Sequence, residues 1–126
     1  MFTLRARVLQ YGREHLISEG FKEINTPKII ASASEGGTNL FPMMYFDTPA
    51  FLSQSPQLYK QLAVLGGMER VFEIGPAFRA ENHDTYRHLN EFISFDIEAA
   101  WMTDEDVMGV QERMIHHIWK CVAEND

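Results

Sequence analysis

Apolar and polar positions alternate with period two across residues 70–98, RVFEIGPAFRAENHDTYRHLNEFISFDIE. That period predicts two strands joined by a short charged loop. In the first strand Phe72, Ile74 and Phe78 fall on one side, and in the second Leu89, Ile93, Phe95 and Ile97 do the same. The other face of the second strand carries His88, Asn90, Phe92, Ser94, Asp96 and Glu98, five polar groups around one aromatic ring. The matching face of the first strand holds Gly75, Ala77, Arg79 and Glu81. Small residues leave room above the sheet, and an arginine stands at its rim. Any antiparallel sheet with one wet face alternates in this way. Two details favour a ligand floor. Phe92 stands alone in a polar row, where a purine would use it and water would not. Arg79 and Glu81 at one end of the hairpin are met by Arg87 and His88 at the other. Such a floor suits a flat, anionic ligand, and a nucleotide fits that description.

The remaining pattern predicts helices around this sheet. Thr3 is expected to cap a helix running to about Gly20, with Leu4, Val8, Tyr11, His15 and Ile17 along one face and Gly20 just past its end. Phe21 to Asn25 alternates as a short strand, and Pro27 limits its pairing. Residues 31–39 have the small, polar, Gly-rich composition of a loop. Residues 41–52 read as two short strands with a turn near Asp47-Thr48-Pro49. Ser55-Pro56 starts a helix to about Leu65, which Gly66-Gly67 ends. Thr103-Asp104-Glu105-Asp106 resembles a capping box, and Val107, Val110, Met114, Ile118 and Val122 follow at core spacing. Trp101 and Met102 read as structural; Met108, His116, His117 and Trp119 read as packing or surface. The fold class is α+β, an antiparallel sheet flanked by helices on one face.

The chain has 126 residues, which bounds it to one domain or part of one. Its net charge of −7 argues against gripping nucleic acid through its own surface field. Cys121 is the only cysteine, which excludes an intrachain disulfide and a cysteine-type zinc cluster and suits a reducing compartment. No apolar run approaches membrane-spanning length, and Arg5 and Arg7 interrupt any signal-like start.

Four segments together resemble a known family. Phe78-Arg79-Ala80-Glu81, a loop, then His88-Leu89-Asn90-Glu91-Phe92 is similar to motif 2 of the class II aminoacyl-tRNA synthetases, in the aspartyl form of archaeal and eukaryotic type. Residues 20–27, GFKEINTP, resemble motif 1 with its proline. Residues 34–41, SEGGTNLF, resemble the loop that closes over aspartate, and residues 54–61, QSPQLYKQ, the amino-acid-binding segment. A single motif is weak evidence; four in the family's order are strong.

The resemblance implies activation of aspartate by ATP to aspartyl-adenylate, for transfer to tRNA. It places Arg79 on the α-phosphate and the aspartate carboxylate, as the catalytic residue. With Arg79 it implies Glu81, Arg87, His88, Leu89 and Phe92 for ATP, Phe92 stacking on adenine. For aspartate it implies Glu35, Gln57, Lys60, Ser94 and Asp96, with Lys60 on the side-chain carboxylate. Gln57 and Lys60 share a helix face at i, i+3. Composition alone would make Lys60 a solvated helix lysine, Arg79 one half of a surface pair with Glu81 or Glu73, and His83 a solvated loop histidine. No metal ligand is assigned to this chain. Magnesium ligands, motif 3 and the anticodon-binding barrel are expected outside it, so residues 1–126 are expected to be the amino-terminal half of the catalytic domain; after Glu98 the only glycine is Gly109. The expected partners are aspartate, ATP, tRNA mainly through absent parts, and a second copy bound through the first helix and motif 1, in the cytoplasm and off the membrane. Two other readings stay open: a tRNA-independent relative making asparagine through aspartyl-adenylate and ammonia, and a nucleotide-binding or dimerising module without catalysis.

Overall fold

The structure is a computed structural model that describes residues 1–32, 40–83 and 85–125. In chain order its elements are α1 (Phe2–Ser18), β1 (Lys22–Glu23), β2 (Ile29–Ile30), β3 (Pro42–Tyr45), β4 (Thr48–Leu52), α2 (Gln57–Leu65), β5 (Arg70–Phe78), β6 (Glu91–Ala99) and α3 (Asp104–Asn125). They build two three-stranded sheets, β1-β5-β6 and β2-β4-β3.

β5 and β6 pair antiparallel along their whole length, with Phe72 opposite Ile97 and Ile74 opposite Phe95. Alternation puts these side chains on one face, where they meet Leu16 of α1, Phe21 and Val110 of α3, with Met102 and Met114 packed alongside. The other face pairs Glu73 with Asp96, Gly75 with Ser94 and Ala77 with Phe92. α2 covers part of that face, since its Lys60 reaches Asp96. Helices therefore flank this sheet on both faces, not on one as expected. The sheet is also mixed: β1 runs parallel to β5. Parallel neighbours need a crossover, and here the whole second sheet and α2 lie between them.

Helix ends differ from the sequence reading by about a turn or less. α1 begins at Phe2 because the Met1 carbonyl already accepts Arg5 N–H at 3.0 Å, so Thr3 lies inside the helix and caps nothing. At its other end Gly20 takes φ 84°. Gly20 N–H donates to Ile17 O and Phe21 N–H to Leu16 O, the paired bonds of a Schellman motif. The inward residues of α1 are Gly12 and Leu16, whereas Leu4 and Ile17 are exposed. Pro56, not Ser55, holds the cap position of α2, although Ser55 Oγ accepts Gln57 N–H at 3.3 Å. The β3–β4 turn falls at Phe46, which has φ 53°, so Pro49 sits inside β4 opposite Met44. The capping box of α3 forms as read: Asp106 N–H donates to Thr103 Oγ1 and Thr103 N–H to Asp106 Oδ2. Met102 packs on the core, but Trp101 is 93 % exposed with φ 60°.

Glu73 is a buried carboxylate on the polar face, 3 % exposed. It accepts Thr26 N–H at 3.1 Å, Thr26 Oγ1–H at 2.7 Å and Lys28 Nζ–H at 2.7 Å. Those bonds satisfy it and tie the segment after β1 to β5.

At Gly12 α1 comes close to the Phe95 ring of β6. An added Cβ would lie 2.5 Å from Phe95 Cε1. Gly12→Ala should therefore destabilise the fold by about 1–2 kcal/mol, overpacking outweighing the roughly 1 kcal/mol of helix propensity gained. Urea denaturation measures this, and a stabilised variant would contradict the contact. His15 stacks 5.3 Å from His117 between α1 and α3, and burial holds its pKa below the ordinary value, with His117 and Arg113 adding to the effect against Glu19. The unfolded chain then takes up a proton near pH 6.5 that the folded chain refuses. Stability should be full above about pH 6.5 and fall as pH drops through that value, and His15→Gln should flatten the fall. A wild-type denaturation midpoint unchanged between pH 7.5 and 5.5 would contradict it.

Candidate nucleotide and amino-acid site

β5 ends at Phe78 and β6 begins at Glu91, so Arg79, Glu81, Arg87, His88, Leu89 and Asn90 belong to the connection and not to the strand faces. The stem of that connection is closed by Arg79 N–H donating to Asn90 O at 2.9 Å. Within it Thr85 and His88 form an isolated bridge, and Thr85 Oγ1 lies 2.6 Å from His88 Nδ1. His83 is exposed, as read, with its ring 5.3 Å from that of His88 and tilted by 53°. The Arg87 guanidinium rests 5.2 Å above the Tyr86 ring.

The connection and the start of β6 share a pocket. Arg79, Glu81, Arg87, His88, Leu89 and Phe92 line one cavity of about 350 Å³. These are the six residues that sequence analysis groups around ATP. Arg79 pairs with neither Glu81 nor Glu73; its guanidinium stands 5.4 Å over the Phe92 ring. Its Nε is buried and has no hydrogen-bond partner among the described residues. A buried unsatisfied donor beside an aromatic face is poised for an anionic ligand carrying a flat ring.

A second cluster lies further along the same face. Phe78 N–H donates to Ser53 O at 3.0 Å, and Ser53 Oγ donates to Ser55 O at 2.8 Å. These buried contacts tether the start of α2 to the end of β5, laying α2 across the polar face. Lys60, in its second turn, is only 4 % exposed and is not a solvated helix lysine. Its Nζ donates to Asp96 Oδ1 at 3.1 Å and to Ile97 O at 3.2 Å, and lies 3.7 Å from Glu98 Oε2. Ser94 Oγ donates to the other oxygen of Asp96 at 2.6 Å. Lys60, Ser94 and Asp96 thus form one network, with Gln57 half-buried one turn earlier on α2. Phe92 and Asp96 are four residues apart on β6, roughly 13 Å by strand rise. Gly75 and Ala77 lie between the two clusters on the neighbouring strand, opposite Ser94 and Phe92.

Glu35 lies outside the described residues. Glu98 joins the Lys60 network without having been singled out. Its signal was its place in the same alternating row, two positions beyond Asp96. Among the described residues no group of three or more His, Cys, Asp or Glu side chains is placed to hold a metal ion.

Comparison with known proteins gives this geometry a context. An aspartate–tRNA(Asp/Asn) ligase of Archaeoglobus fulgidus is 55% identical over 124 residues, covering 98% of this chain and 29% of the ligase. An aspartate–tRNA(Asp) ligase of Pyrococcus abyssi is 54% identical, covering 100% of this chain and 29% of its own length. The chain therefore spans under a third of these relatives. The solved structure of asparaginyl-tRNA synthetase from Pyrococcus horikoshii, complexed with asparaginyl-adenylate, superposes with a TM-score of 0.91 at 39% identity, over 98% of this chain and 28% of that one. The family described as tRNA synthetases class II (D, K and N) matches residues 1–126. With its whole length inside that match, the chain belongs to the class II tRNA synthetases of the D, K and N group.

Proposed function

We propose that the chain is part of a cytoplasmic aspartate–tRNA ligase and supplies the floor on which ATP activates aspartate. The observation that carries this is the single polar face of β5 and β6, with the Arg79–Phe92 cavity at one end and the buried Lys60 network at the other. ATP lies with adenine against Phe92 and its phosphates toward Arg79, Arg87 and His88. Aspartate lies between, its side-chain carboxylate on Lys60 and its ammonium toward Asp96. Glu81 and Leu89 border the base, and Gln57 and Ser94 border the amino acid. Glu35 is assigned to the ammonium from sequence alone.

The aspartate α-carboxylate oxygen attacks the α-phosphorus. The bond from that phosphorus to the β-bridging oxygen breaks, pyrophosphate leaves with the electron pair, and aspartyl-adenylate remains. The carboxylate is ionised at neutral pH, so no general base is needed. What this chain adds is positioning and charge: Arg79 reaches both reacting groups, and the hydrogen-bonded network fixes the other end. Class II synthetases use magnesium with ATP, and that ion supplies further charge on the phosphates; its ligands are expected outside this chain. The tRNA is likewise expected to be held mainly by other parts, in keeping with the net charge of −7. Lys60 favours aspartate over asparagine, since its ammonium attracts a carboxylate more strongly than a neutral amide.

The test is a graft in which residues 1–126 replace the matching segment of the Archaeoglobus fulgidus ligase, assayed by aspartate-dependent ATP–pyrophosphate exchange. Arg79→Ala should lower exchange about 10²–10³-fold, the scale of losing one preorganised donor at the developing charge. Lys60→Met should raise the aspartate KM by about 100-fold or more while the ATP KM moves by less than about threefold. Near-normal exchange in the arginine variant, or equal weakening of both substrates in the lysine variant, would sink the assigned roles. Asparagine made from aspartate, ATP and ammonia without tRNA would favour the tRNA-independent alternative. The same proposal includes a homodimer through α1 and β1, supported by exposed Phe2, Leu4 and Ile17 on α1. Sedimentation equilibrium of the chain at micromolar concentration should show dimer; monomer alone would contradict it.

A further inference from the structure

Glu73 is a buried charge that the proposed reaction does not use. Its carboxylate accepts Thr26 N–H, Thr26 Oγ1–H and Lys28 Nζ–H. Lys28 Nζ also donates to Thr26 Oγ1 at 3.0 Å, which closes the set into a ring. An apolar contact would join the two segments at a smaller desolvation cost. What a hydrogen-bonded carboxylate adds is direction, since each bond weakens steeply away from its axis.

That direction is passed on toward α2. The Lys28 carbonyl accepts Ser53 N–H at 2.9 Å, next to the β2–β4 pairing of Ile29 with Leu52. Ser53 Oγ donates to Ser55 O at 2.8 Å, and the neighbouring Pro56 O accepts Lys60 N–H at 2.9 Å. Hydrogen bonds and short chain links therefore lead from Glu73 to the backbone of Lys60. Ser53 has a second tether, its carbonyl accepting Phe78 N–H at 3.0 Å. Glu73 and Phe78 stand five residues apart on β5, roughly 17 Å by strand rise. One tether leaves the head of α2 free to pivot; two set its direction across the floor.

We propose that Glu73 is a positioning residue for the amino-acid end of the site: through Lys28 and Ser53 it fixes the angle at which α2 presents Lys60, without touching the substrate. This rests on the reading that Lys60 takes the substrate's side-chain carboxylate.

The experiment uses the same graft, with KM and kcat of exchange measured for both substrates. Glu73→Gln should raise the aspartate KM about three- to tenfold, with the ATP KM within about twofold of the parent. Lys28→Met acts on the same path, so it should have an effect of the same size and add less than about twofold to Glu73→Gln in the double variant. Thr26→Val removes one bond and leaves the ion pair; it should raise the aspartate KM about two- to threefold, and it carries the test if the other variants do not fold. A merely structural pin would lower the fraction of active enzyme, and so kcat, with both KM values at the parent's. That outcome overturns the proposal, as do equal rises in both KM values or Glu73 and Lys28 effects that multiply in full. A parent graft without aspartate-dependent exchange overturns the functional reading and this inference with it. A selective Lys60→Met effect beside an unchanged aspartate KM in Glu73→Gln overturns this inference alone.

Discussion

The pairing of β5 with β6 over nine residues each governs the rest of the structure. Its strict alternation sends Phe72, Ile74, Phe95 and Ile97 toward α1 and α3, and sends Ala77, Phe92, Ser94, Asp96 and Glu98 to the other side. One set of backbone hydrogen bonds thus sets both the core and the candidate site. A slip by one residue would exchange the faces, placing Asp96 against Leu16 and Phe95 under α2. The apolar face resists that slip, so burial on one side holds register on the other. Glu73 adds a local pin, its carboxylate satisfied by Thr26 and Lys28 on the segment that leads away from β1.

Charge is arranged on this floor with unequal constraint. Lys60 is buried and anchored by two hydrogen bonds to β6, whereas the Arg79 guanidinium lies over Phe92 with a buried, unpartnered Nε. The amino-acid end is built as a closed network and the nucleotide end as an open donor set. That difference suits the ligands proposed for them. A small amino acid must be told from its amide by one polar group, while ATP brings several charges of its own that can complete the arginine's bonding.

Much of this was legible in the sequence, because period two is a strong signal when nine residues keep it. Phe92, Ser94 and Asp96 were placed on one face from alternation alone, and the capping box at Thr103 and Asp106 followed from local chemistry. The failures share a cause: each needed a tertiary contact. Composition would leave Lys60 in solvent and only the resemblance put it at the site; the Ser53 and Phe78 bonds carry α2 over the sheet and bury it. The parallel pairing of β1 has no signature in a two-residue strand. Arg79 and His88 continue the alternation in sequence but lie outside the strands, since β5 ends at Phe78 and β6 begins at Glu91. Trp101 reads as structural from its place leading into α3, yet with φ 60° it is 93 % exposed.

The most direct test of the central claim is a crystal structure of the graft with a non-hydrolysable aspartyl-adenylate analogue. The account predicts adenine stacked on Phe92, the phosphate mimic within hydrogen-bond reach of Arg79, and the side-chain carboxylate on Lys60. An analogue seated away from the β5–β6 face, or bound there with its carboxylate remote from Lys60, would contradict it.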